Sequence, residues 1–158
     1  MILNVLLIAP DVGLPAAASE VRAVSLALNA TLLNGTVTRR DVLDTLSVKP
    51  WDIIWFATHG DEHGIRLSDA PLLAGDLAAI VRNTPAKLLV LNTCSSRNVA
   101  RDIHYDLDRK INIICTQADA DDPTAYQTGA LLARNLSQGL SVHDAYERSR
   151  PGNDTLYY

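Results

Sequence analysis

The sequence predicts an α/β fold: a mostly parallel sheet covered by helices on both faces. Three observations point there. Short apolar runs alternate with helix-like segments along the chain. The runs are apolar at successive positions rather than at every second one, as strands buried on both faces are. And 158 residues suit one domain, 1–158, built around one core.

Residues 2–9 form the first apolar run, closed by Pro10 and Asp11, and 10–18 read as a loop. Ser19 has the chemistry of a helix N-cap. Val21, Val24, Ala27 and Leu28 recur at helical spacing, so a helix is expected over 20–33, stopped by Asn34-Gly35. Thr38 opens a shorter helix with Val42, Leu43 and Leu46 on one face, and Pro50 closes it. The run DIIWFAT over 52–58 is the second strand, followed by a polar loop over 59–64. Residues 65–67 and 72–73 suit a small hairpin, and 75–82 a helix. KLLVLN over 87–92 is a third strand that leads into Thr93 and Cys94. A helix over 97–107 and a strand over 111–115 follow. Asp122-Pro123 starts a helix that ends near Ser137 and Gly139, because proline suits a first helical position. Ser141 caps a last helix to Ser149, and 151–158 are expected to be irregular. There is no internal repeat.

Composition narrows the function classes. Hydrophobic residues make up 47% and charged residues 20%, an ordinary globular balance. The net charge of −4, without a basic block, offers no footprint for nucleic acid. No apolar run approaches the roughly 20 residues needed to span a bilayer, and no basic amphipathic helix suits a membrane surface. The first apolar run and Ala16-Ala17-Ala18 have the outline of a signal peptide, but no basic segment precedes them. A buried strand and a cytoplasmic protein with free thiols are expected, since Cys94 and Cys115 make no disulfide framework.

The chemistry concentrates at two strand ends. His59 follows DIIWFAT, and Cys94 follows KLLVLNT. In parallel sheets, functional residues lie beyond the carboxyl ends of the strands. Neighbouring strands lie about 4.8 Å apart, so a thiol and an imidazole there come within reach of each other. The imidazole lowers the thiol pKa and moves its proton. Gly60 permits close backbone approach, and its N–H with that of Cys94 would bind an oxyanion. One such donor is worth about 3–4 kcal/mol in the transition state. Taken singly, each residue has a plainer explanation: a cysteine is commonly a small buried hydrophobe, and a histidine after a strand a loop residue. Cys115, inside an apolar run, fits that plainer description. His104 and His143 fall in helical patterns and suit surface positions.

Two other chemistries compete. His59-Gly60-Asp61-Glu62-His63 matches H-x-x-E-H, a zinc-protease motif. That motif works on a helix, whereas here a strand precedes it and Gly60 and Gly64 punctuate it. Asp61, Glu62 and His63 read more simply as solvated loop residues. No metal and no other cofactor is expected. A flavodoxin-like nucleotide site would need a glycine-rich phosphate loop after the first strand, and Pro10-Asp11-Val12-Gly13 is not one.

The segments LLIAPDVGLPAAASEVRAV, WDIIWFATHGDEHGIRL and KLLVLNTCSS, with the stretch from Ile113 to Arg150, resemble the CHAT family of caspase-like domains. The likeness is greatest to its compact bacterial members and covers nearly the whole chain. It implies a caspase-like three-layer sandwich and a His–Cys dyad, by position His59 and Cys94. It also implies a protein or peptide substrate, a bacterial defence or cell-death setting, and a regulatory partner or sensor protein. The chain departs from true caspases. It reads LNTCSS at the nucleophile, and 35 residues separate His59 from Cys94, against roughly 50 in caspases. Caspase specificity for aspartate is therefore not carried over. Related peptidases often read a basic P1 side chain with an acidic pocket, for which Asp119 and Asp121 are the candidates, Asp119 preferred. Two functions stand open: a cysteine endopeptidase, or a non-catalytic or partner-activated interaction module.

Overall fold

The computed structural model describes residues 3–10, 17–60, 63–93, 96–107, 109–116, 122–150 and 156–157. In chain order the elements are β1 (Val5–Pro10), α1 (Ala17–Leu28), β2 (Thr31–Gly35), α2 (Arg39–Leu46), β3 (Ile53–Ala57), β4 (Gly64–Ile65), β5 (Leu72–Leu73) and α3 (Ala74–Arg82). They continue with β6 (Leu88–Asn92), α4 (Arg97–Asp106), β7 (Asn112–Thr116), α5 (Asp122–Ser137), α6 (Val142–Ser149) and β8 (Leu156–Tyr157).

Six strands form one sheet in the order β2-β1-β3-β6-β7-β8. The first five are parallel, and β8 pairs antiparallel with β7. The central strands β1, β3 and β6 are buried along their whole length. This is why their sequences are apolar at every position but Asn92, the last of β6: both faces are covered. β4 and β5 form the separate small hairpin that the sequence suggests.

Right-handed crossovers sort the helices. The chain steps one way from β1 to β2 through α1. It steps the other way from β2 to β3, β3 to β6 and β6 to β7 through α2, α3 and α4. The two directions place their helices on opposite faces. Side chains of α2, α3 and α4 pack with Leu6, Ile8, Phe56 and Leu91. Those of α1, α5 and α6 pack with Leu7, Trp55, Val90 and Ile114. Each fully buried Leu or Ile contributes about 2 kcal/mol. The result is the expected three-layer sandwich.

Local chemistry sets several boundaries. Thr38 caps α2 in a reciprocal box: its Oγ1 accepts from Asp41 N at 3.1 Å, and Asp41 Oδ2 accepts from Thr38 N at 2.9 Å. Ser141 accepts from Asp144 N at 3.1 Å and caps α6 as anticipated. Beyond α5, Gly139 takes a φ of +84°, a left-handed value that glycine adopts freely. The Arg109 guanidinium donates to the carbonyls of Ala86, Val81 and Thr84 at 2.8–2.9 Å, closing the end of α3.

Four expectations need correction. The helix expected over 20–33 begins at Ala17, so Ser19 lies inside it and is not its cap. It ends at Leu28, where Asn29 turns left-handed at φ +50°, and Thr31–Gly35 becomes the edge strand β2. Leu32 continues the helical spacing, but pairing with the open edge of β1 satisfies a row of backbone groups that a longer helix would leave unpaired. In α2, Val42 is buried and Leu46 partly so, while Leu43 is 53% exposed. Within the tail expected to be irregular, Leu156–Tyr157 pairs with Cys115–Thr116.

Candidate active site

His59 and Cys94 belong to adjacent parallel strands. β3 and β6 pair in register from Ile53↔Leu88 to Ala57↔Asn92. His59 is two residues past Ala57, and Cys94 is two residues past Asn92. Cys94 lies outside the described residues, as do Asp61, Glu62, Asp119 and Asp121. The residues on either side of Cys94 are placed. Thr93 is buried. Ser96 is wholly buried, its Oγ donates to the Leu91 carbonyl at 2.9 Å, and its own carbonyl accepts from Ala100 N at 2.9 Å. α4 starts at the next residue, Arg97.

His59 is half-buried, and its backbone is held by the strand that returns toward it. The His59 carbonyl accepts from Arg66 N at 2.9 Å. Thr58 Oγ1 donates to the Arg66 carbonyl at 3.0 Å, and Gly60 forms an antiparallel bridge with Ile65. Ile65 and Leu67 sink into the core and anchor this return.

Gly60 then passes against Thr93, the residue that follows β6. A Cβ at Gly60 would lie 2.8 Å from Thr93 Oγ1 and 3.0 Å from Thr93 Cβ. Side chains do not tolerate such a distance, so the glycine is required by the close approach. The residue after the candidate base therefore touches the residue before the candidate nucleophile. The sequence pointed to Gly60 for substrate access; its packing on Thr93 is a second reason that spacing does not reveal.

Beneath this end of the sheet lies a carboxylate that sequence reading passed over. Glu20 of α1 is 4% exposed. Its Oε1 accepts from Asn92 Nδ2 at 2.6 Å and from Trp55 Nε1 at 3.2 Å. Burial raises its carboxyl from 4.5 to about 7, although both hydrogen bonds act the other way. One signal was available in the sequence. Glu20, Val24 and Leu28 are spaced i, i+4, i+8, so the buried stripe of α1 extends onto a glutamate.

Cys115 is the core residue that its sequence context suggested. It is 4% exposed, and burial pushes its thiol up to about 11 despite the nearby Arg97 charge. A thiol so raised carries little thiolate at neutral pH. His59, Gly60 and His63 are not helical, so the one-faced helical pair that H-x-x-E-H zinc chemistry uses does not form. His63, His104 and His143 are exposed. No helix among the described residues is long and apolar enough to cross a membrane.

A family model described as CHAT domain matches residues 8–112, two thirds of the chain. No curated protein matches. A solved structure titled "Structure of Protease" superposes with a TM-score of 0.57 at 13% identity, over 82% of this chain and 32% of that one. The chain thus spans about a third of that protein's length, and the likeness is one of fold.

Proposed function

The chain belongs to the CHAT-domain family of caspase-like folds, and from that premise we propose that it is a cysteine endopeptidase with Cys94 as nucleophile and His59 as general base. The contact of Gly60 with Thr93 is the observation that carries this reading. It draws the loop after His59 against the residue that precedes Cys94. The start of α4 three residues beyond Cys94 supports it too, because a helix N-terminus favours a thiolate.

The steps follow from those residues. His59 takes the Cys94 proton, and the thiolate attacks the scissile carbonyl carbon to form a C–S bond. The backbone amides of Gly60 and Cys94 hold the resulting oxyanion. His59 gives its proton to the departing amine as the C–N bond breaks. Water, deprotonated by His59, then releases the acyl group and returns the thiol. Asp119 and Asp121 would select a basic P1 side chain. From the family resemblance, the setting is bacterial defence or programmed cell death, with activation by a regulatory partner; the cysteine usage suits the cytoplasm, and the charge offers no footprint for a nucleic-acid ligand.

Thiol alkylation with peptide mapping tests the dyad. Cys94 should alkylate far faster than the buried Cys115, and His59→Ala should slow the alkylation of Cys94 at neutral pH. Cys94→Ala should lower peptide cleavage at least about a thousandfold. Unchanged cleavage after alkylation or substitution would overturn the assignment. Silence on all peptides, with Cys94 unreactive with or without partners, would favour an interaction module. A P1-scanning library checks specificity: equal cleavage after basic and neutral residues would exclude the acidic-pocket role of Asp119 and Asp121.

A further inference from the structure

A buried carboxylate is costly unless its surroundings are built for it. Glu20 is the only buried charged side chain among the described residues, and three elements are shaped around it. Trp55 of β3 and Asn92 of β6 both direct N–H groups at Oε1. On α5, a Cβ at Gly129 would lie 2.5 Å from Glu20 Oε1 and 3.1 Å from Asn92 Nδ2. Glycine weakens a helix interior, yet α5 carries one where the carboxylate needs room. Asn92 is the last residue of β6 and precedes Thr93 and Cys94 directly.

We infer that Glu20 is a positioning residue for the nucleophile: its carboxylate grips the Asn92 side chain and fixes the end of β6 from which the chain enters Thr93 and Cys94. The inference rests on the dyad proposed above. Glu20 does not touch substrate; it acts through Asn92. A neutral residue of the same shape would fill the space, but a carboxylate holds an N–H donor more tightly than a neutral oxygen does.

This grip depends on the proton. Burial keeps the Glu20 carboxyl near neutrality, at about 7. β1, β3 and β6 carry no charged residue, and the described charges of the packed helices, Arg22 of α1 and Arg134 of α5, are exposed. The hydrogen bond to Asn92 therefore strengthens as Glu20 loses its proton.

The test uses the full chain as wild type, Glu20→Gln, Asn92→Ala and the double variant. Iodoacetamide labelling of Cys94 is followed by peptide mapping across pH, with thermal melting to confirm folding. One unit above the carboxyl value of about 7, Glu20→Gln should slow Cys94 labelling on the order of fivefold, the difference between a charge-assisted hydrogen bond and the neutral one that glutamine keeps. One unit below that value the two rates should converge. The double variant should behave as Asn92→Ala alone. Equal rates for wild type and Glu20→Gln at every pH, a ratio independent of pH, or additive effects would overturn the inference. Should Glu20→Gln fail to fold, an unchanged labelling rate in Asn92→Ala, which keeps the carboxylate, overturns it equally. Failure of the dyad itself is seen separately. There, wild-type Cys94 labels no faster than in His59→Ala, with Glu20 intact in both proteins.

Discussion

The two faces of the sheet are filled by different chemistry. Toward α2, α3 and α4, alternate residues of the central strands meet aliphatic and aromatic neighbours, and the titratable member of that cluster is Cys115. Toward α1, α5 and α6 the same strands present Trp55 and Asn92 to Glu20. Burial acts on both groups in the same sense, favouring the neutral form. It leaves the Cys115 thiol at about 11, far above neutral pH, and the Glu20 carboxyl at about 7, where it can change state. The first face stabilises; the second does so while keeping a group that responds to pH beneath the candidate site.

The largest expected effect is on the apolar face. Leu77 is wholly buried in it, and Leu77→Ala should cost about 3–4 kcal/mol by transfer and cavity terms. Urea unfolding at several pH values checks this, and the loss should be the same at each. A loss that varied with pH would break the contrast between the faces.

Glu20 sets the next effect. Its carboxyl titrates near 4.5 when exposed and near 7 in the fold. Between those values the unfolded chain has lost the proton and the native one keeps it. Its contribution to stability is thus fully present below 4.5 and lost as pH rises through about 7. The expected fall is about 3 kcal/mol, and Glu20→Gln should remove it. Unfolding free energies across that window decide the matter; parallel curves for the two proteins would contradict it.

Gly60→Ala should cost about 1–3 kcal/mol, because the new Cβ must push Thr93 aside. Labelling of Cys94 should slow while the protein stays folded, whereas Gly75→Ala, which meets no neighbour within 4 Å, should leave labelling unchanged. The smallest effect belongs to Cys115→Ala, at about 1 kcal/mol by lost burial. Peptide mapping should show Cys94 labelling as before, and a slowed rate would mean that the apolar face also tunes the site.

Much of this was legible in the chain alone. The runs in β1, β3 and β6 are apolar up to Asn92 because parallel strands at a sheet centre have no solvent side, and this marked both the fold class and the sheet. Thr38 and Ser141 announced their helices because capping is local chemistry, satisfied within three residues. The placement of His59 and Cys94 after two such strands followed from the same runs.

Other features depended on partners distant in sequence. Thr31–Gly35 has helical spacing behind it and becomes a strand because the β1 edge is open to it. Leu156–Tyr157 is strand only against Cys115–Thr116. Glu20 and Asn92 lie 72 residues apart, and neither has a local pattern that names the other. Gly129 explains itself only as the space a carboxylate occupies. Periodicity and capping operate within a turn or a strand, so a sequence can state them. Edge pairing, close approach and the sharing of a buried charge arise only when remote segments are packed together.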